Sequence, residues 1–168
     1  MGFPDRIERT VELAHRPEVV WRALTTAEGL RSWLGDRAAI DLRPGGRAEV
    51  VWTGGEASGD TSGDTSRDAS GDTSGDASGD TTAEIRVERV EEARVLGFTW
   101  RVDGVAREDP RRTYVDFTLE PTPTGTRLHL VESGFAQLSD DDHRAGYASH
   151  SDGWTHELGE LVAYLDAA

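Results

Sequence analysis

The sequence predicts an α+β fold: one antiparallel sheet with a long C-terminal helix laid across a single face. Three observations carry that expectation. Near the C-terminus, Tyr147, His150, Trp154, Leu158, Leu161 and Leu165 recur at steps of three or four, so they share one helical face. Before them stand six consecutive short runs rich in alternating apolar residues and separated by turn residues, which favours hairpin-connected, antiparallel strands. An amphipathic helix next to such a sheet must bury its apolar stripe against it.

Each element can be read in order. Ile7 to Leu13 alternates and places Ile7, Val11 and Leu13 on one side of a first strand. Pro17 suits a helix start, and Val19, Val20, Ala23 and Leu24 supply a short apolar stripe. Gly29 permits a bend into a second helical piece, Leu30 to Leu34, anchored by Trp33. Ala38–Leu42 and Arg47–Trp52 are strands joined by Arg43-Pro44-Gly45-Gly46. Four more follow, at about Ala83–Val90, Val95–Val102, Thr113–Glu120 and Thr126–Ser133. Leu96, Phe98, Trp100 and Val102 share one face, as do Val115, Phe117 and Leu119, and Leu128, Leu130 and Glu132.

Ser139 is a good N-cap for the last helix, and Asp140, Asp141 and Asp142 place negative charge against its free N–H groups. Running to about residue 166, the helix spans roughly 40 Å. Asp152, Thr155, Glu157 and Glu160 are expected mostly on its wet side. Gly146 and Gly153 each cost about 1 kcal/mol against Ala. They are either tolerated weak spots or, at Gly153 beside Trp154, room where the helix faces something.

A chain of 168 residues is read as one domain, 1–168. It contains no cysteine, which removes disulfides and thiolate chemistry, and its eighteen basic residues are all arginine, which removes Schiff-base lysines and Walker-type phosphate loops. The net charge of −14 argues against nucleic acid or an anionic membrane surface as partner. With no long apolar run and no signal pattern over residues 1–15, a soluble cytoplasmic protein is expected.

Within a low-complexity insert at about 54–82, Ala57 to Asp80 is six tandem tetrads of the form Ala/Thr-Ser-Gly/Arg-Asp. Six Asp and one Arg give this stretch −5, which leaves −9 for the rest. Without an apolar side chain larger than Ala it cannot offset its ordering entropy, so a solvated, disordered loop is expected. Calcium-binding β-roll repeats need a large apolar residue in each turn, and these tetrads have none.

The element order, with Pro17-Glu18-Val19-Val20-Trp21-Arg22-Ala23-Leu24-Thr25 near the start, resembles the START-like, Bet v 1-like (SRPBCC) helix-grip superfamily. Gly45-Gly46-Arg47, Gly125-Thr126-Arg127-Leu128 leading to Glu132-Ser133-Gly134-Phe135, and Gly153-Trp154 narrow the resemblance to bacterial homologues of the activator of Hsp90 ATPase. The resemblance covers nearly the whole chain except the insert. It implies a helix-grip fold: a curved antiparallel sheet wrapped around the C-terminal helix, two short helices after the first strand, and a cavity that commonly takes apolar small molecules. It also implies a rival reading, a co-chaperone type of interaction module with a chaperone or other protein as partner. A cyclase, dehydratase or hydrolase acting on a held ligand is the third.

Two residues interrupt the apolar faces. His150 lies one turn before Trp154, and Glu132 shares its face with Leu128 and Leu130. An ionised carboxylate in a core must be paired, protonated or facing a wet cavity. If both line a pocket, Trp52, Phe98, Trp100, Leu128, Leu130 and Trp154 form its walls, and Glu132 with His150 orients an apolar small molecule. The bland alternative leaves Glu132 at a frayed strand end and His150 on a backbone carbonyl. No catalytic residue, metal site or cofactor is assigned: His143, His150 and His156 lack a zinc spacing, and nothing resembles a nucleophile elbow.

Overall fold

In the computed structural model, which describes residues 4–53, 80–102 and 105–168, the alternating runs fold as strands and the periodic ones as helices. The order is β1 (Arg6–Leu13), α1 (Pro17–Thr25), α2 (Ala27–Trp33), β2 (Arg37–Ile40), β3 (Arg47–Trp52), β4 (Thr81–Glu91), β5 (Val95–Trp100), β6 (Thr113–Thr122), β7 (Gly125–Ser133), a 3-10 turn at Phe135–Gln137, and α3 (Asp140–Ala167). All seven strands form one antiparallel sheet in the order β1-β7-β6-β5-β4-β3-β2. Strands β2 to β7 meander in chain order, and the two short helices carry the chain from one edge of the sheet to the other. The fold is the α+β helix-grip arrangement.

Local chemistry sets the boundaries. Thr26 ends α1 and caps α2: its hydroxyl donates to the Arg22 carbonyl (2.7 Å) and accepts the Gly29 N–H (3.0 Å). A Cβ at Gly29 would lie 2.5 Å from the Arg22 carbonyl oxygen, so the tight α1–α2 junction requires glycine there. Trp33 anchors α2 as expected, buried with its indole N–H on the Ala23 carbonyl (2.8 Å). Ser139 caps α3 by accepting the Asp142 N–H (3.2 Å), and the helix runs 28 residues, about 42 Å. The tetrad repeats up to Gly79 lie outside the described residues. At their borders, Thr53 donates its N–H and hydroxyl to Asp36, and Asp80 pairs with Arg37 at 2.7 Å.

Some boundaries differ from the sequence reading. Strand β2 is Arg37–Ile40, leaving Leu42 exposed in the turn, and β5 stops at Trp100, so Val102 is buried outside a strand. Glu157, expected on the wet side of α3, is only 6% exposed. The inward stripe is wide enough to take both Glu157 and Leu158. Among the described residues no helix is long and apolar enough to cross a membrane.

One close approach along α3 falls at Gly146, where a Cβ would lie 2.3 Å from Val102 Cγ1. Gly146→Ala therefore gains about 1 kcal/mol of helix propensity and loses more to overpacking. A net loss of about 1–2 kcal/mol is expected in urea denaturation. A more stable variant would show that the segment carrying Val102 yields.

Candidate functional site

The sheet register places Glu132 of β7 opposite Ile7 on one side and Val115 on the other, in an inward row continued by Phe98 and Val87. A carboxylate in such a row needs donors, and four converge on it. Oε1 accepts from Trp100 Nε1–H (2.8 Å), Thr113 Oγ1–H (2.6 Å) and His150 Nδ1–H (2.8 Å); Oε2 accepts from Trp154 Nε1–H (2.7 Å). Glu132, Thr113, His150 and Trp154 are fully buried, and Trp100 is 1% exposed. Strands β5, β6 and β7 and helix α3 thus meet at one side chain.

Burial pushes the Glu132 carboxyl up; the His150 charge and the hydrogen bonds from His150, Thr113 and Trp100 outweigh it, so the net direction is down. Aromatic rings pack around the carboxylate. Trp100 stacks on Trp154 (centroids 5.4 Å apart), Phe117 meets Trp154 edge-on (5.7 Å), and Phe135 meets His150 edge-on (5.6 Å). Glu132 and His150 are thus partners of each other, sealed from water, rather than a frayed end and a backbone contact.

A wholly apolar cavity lies on the other side of Trp154. Its walls come from α1 and α2 (Leu24, Leu30, Trp33, Leu34), β2 to β6 (Ile40, Ala48, Ile85, Val87, Leu96, Phe98, Phe117) and Trp154 itself. The space open to the centre of a water-sized sphere is about 20 Å³, enough for one water but with no polar group to hold it. Two larger hollows, of about 690 and 920 Å³, are open surface grooves that contain none of the candidate residues.

Of the residues singled out by sequence, Phe98 and Trp154 line the cavity, while Trp100, Glu132 and His150 form the buried node behind Trp154. Leu128 and Leu130 belong to the core but not to the cavity wall. Half-buried Trp52 stands apart, in a polar cleft with Arg31, Asp36, His156, Glu157 and Glu160. The histidines of α3 serve three separate places: His143 contacts the Pro4 carbonyl (2.8 Å), His150 the node, and His156 lies 3.9 Å from Glu160. Sequence reasoning missed Thr113, whose signal was a hydroxyl two residues before Val115 on the same inward face. It also missed the α1, α2 and β2 side of the cavity, which no single-element periodicity can assign.

The sequence matches the model of a family described as activator of Hsp90 ATPase homolog 1-like protein over residues 14–166. Among solved structures, a Mesorhizobium loti protein is 28% identical, with a TM-score of 0.68 over 97% of this chain and 98% of its own. An AHSA1-like protein from Aeromonas hydrophila is 18% identical, with a TM-score of 0.62 over 96% and 92%. The Aha1 dimer from Colwellia psychrerythraea is 17% identical, with a TM-score of 0.65 over 95% of each chain. The likeness to these last two is one of fold. The comparison with curated proteins found no match.

Proposed function

From the premise that this chain belongs to the activator of Hsp90 ATPase homolog 1-like family, we propose that it is a cytoplasmic binding domain for a small apolar molecule. The observation that supports this most is the contrast between inside and outside. The interior holds a cavity walled only by apolar side chains, whereas among the described residues Leu42 is the one exposed large hydrophobe. A hydrophobic protein-docking face would show the reverse. In the closed form the cavity admits almost nothing, so binding requires α2 and β2 to move outward from the sheet. The Glu132–His150 pair sits behind Trp154 and does not reach the cavity, so the ligand is held by packing rather than by acid–base groups.

Toluene is the test ligand. It is expected to raise the Tm of the wild-type protein and to shift the NMR signals of Leu24, Leu96 and Phe117. Ala48→Val, which adds two methyl groups to the wall, is expected to abolish both effects while the protein stays folded. A wild-type protein indifferent to toluene overturns the reading.

The family's description favours a second reading, a protein-interaction module that stimulates an Hsp90-type ATPase. Stimulation of such an ATPase by the purified protein, undiminished by Ala48→Val, would put that reading ahead.

A further inference from the structure

Glu132 holds two indoles at once. Trp100 donates its N–H to Oε1 (2.8 Å) and Trp154 donates to Oε2 (2.7 Å), and the two rings stack with centroids 5.4 Å apart. Of the two, Trp154 lines the apolar cavity and Trp100 does not. Two more cavity walls rest on the same pair: Phe98 meets Trp100 edge-on (5.4 Å), and Phe117 meets Trp154 edge-on (5.7 Å). The aromatic side of the cavity is thus fixed by a buried carboxylate that does not itself line the cavity.

The opposite wall is built differently. Leu24, Leu30 and Leu34 of the two short helices and Ile40 of β2 meet the sheet through aliphatic packing. The hydrogen bond from the Trp33 indole to the Ala23 carbonyl (2.8 Å) ties α2 to α1, so it does not anchor that wall to the sheet. Charge-assisted hydrogen bonds are about twice as strong as neutral ones, whereas single packing contacts are weak and non-directional. A guest therefore displaces the aliphatic wall and must fit the aromatic one.

We infer that Glu132 is a positioning residue that, through Trp154, sets the selectivity of the cavity for a flat aromatic ring over a puckered saturated ring of equal carbon count. This inference rests on the small-molecule reading above and adds what the cavity selects and which residue makes it selective. A flat ring lies against Phe98, Phe117 and Trp154 with edge-to-face contacts and moves the aliphatic wall least. A puckered ring is thicker and offers no π face.

Toluene and methylcyclohexane are the probes, and the ratio of their dissociation constants, from NMR titration of the full chain, is the readout. Transfer out of water alone favours methylcyclohexane, which has the larger apolar surface, so a merely greasy hole would prefer it. The wild-type protein is expected to prefer toluene about fivefold. Glu132→Gln should abolish that preference. Because this variant endangers folding, Trp100→Phe is the second arm. It removes an indole N–H from the carboxylate, keeps an aromatic ring beneath Trp154 and leaves the cavity lining untouched, and it should lower the preference as well. Ser139→Ala, which removes the cap of α3 away from both cavity and carboxylate, should lower stability and keep the preference. Three results overturn this inference and leave the cavity reading intact: a wild type that prefers methylcyclohexane, a toluene preference unchanged by Glu132→Gln and Trp100→Phe, or a preference lost equally in Ser139→Ala. A wild type that binds neither probe removes the cavity reading itself, which is a separate result.

Discussion

Glu132→Gln is expected to lose about 3–5 kcal/mol of folding stability, although it changes a single atom type. All four contacts of the carboxylate are to donors, three on Oε1 and one on Oε2. An amide turns one of those oxygens into a donor, so in either orientation an N–H meets an N–H or O–H in a site that excludes water. The His150 imidazole also loses the carboxylate it faces. Denaturant unfolding at neutral pH measures the loss, and a change below about 1 kcal/mol would mean that the node is not formed in solution.

The same pair of proteins shows a pH signature. The folded state holds the Glu132 carboxyl below its usual value of 4.5. Its contribution is therefore complete above about pH 4.5 and disappears as pH falls through the depressed folded value. The gap between wild type and Glu132→Gln should narrow on acidification over that range. A gap that widens would reverse the sign of the linkage.

Trp154→Ala is the second large effect, an expected loss of about 3–5 kcal/mol out of an ordinary domain's total of about 5–15 kcal/mol. The ring is fully buried, stacks on Trp100 and forms part of the cavity wall. Truncation would remove this packing, free Glu132 Oε2 from its donor and merge the cavity with the node. Trp154→Phe helps to separate the contributions, because it keeps an aromatic ring in the core while removing the N–H and the rest of the indole; about 1–3 kcal/mol is expected. Equal losses for Ala and Phe would show that the hydrogen bond, not the ring, holds the helix to the sheet.

The fold was largely legible in the sequence because its signals are local. Ser139 marked the start of α3, Gly45-Gly46 and Gly125 marked turns, and period-two alternation marked the faces of β5, β6 and β7. The site was legible only in part. Glu132, His150, Trp100 and Trp154 stood out as inward-facing, but whether two polar groups line a space or close on each other depends on register and helix position. The pairing of Val115 with Glu132 brings Thr113 within reach, and the seat of α3 brings the Trp154 indole N–H to Oε2. Trp52 misled because alternation marks a side of the sheet, not a position along it; at the end of β3 it borders the cleft instead.

The open sheet has two edges, and they are unequally guarded. Along β1 the edge is laced to α3 and its approaches: Asp5 accepts the Ala136 N–H, the Pro4 carbonyl meets His143, the Arg6 carbonyl accepts the Tyr147 hydroxyl, and Arg9 reaches the Ser151 carbonyl and hydroxyl. A foreign strand arriving there meets α3 side chains across the start of the edge, where the Arg6 carbonyl is already engaged. Among the described residues strand β2 is tied less, through the Arg37–Asp80 pair, but it offers only four residues, beginning with that arginine, as a template. Short length at one edge and side-chain lacing at the other discourage strand addition from either side, so the chain can carry a long acidic insert between β3 and β4 without exposing a pairing surface beside it.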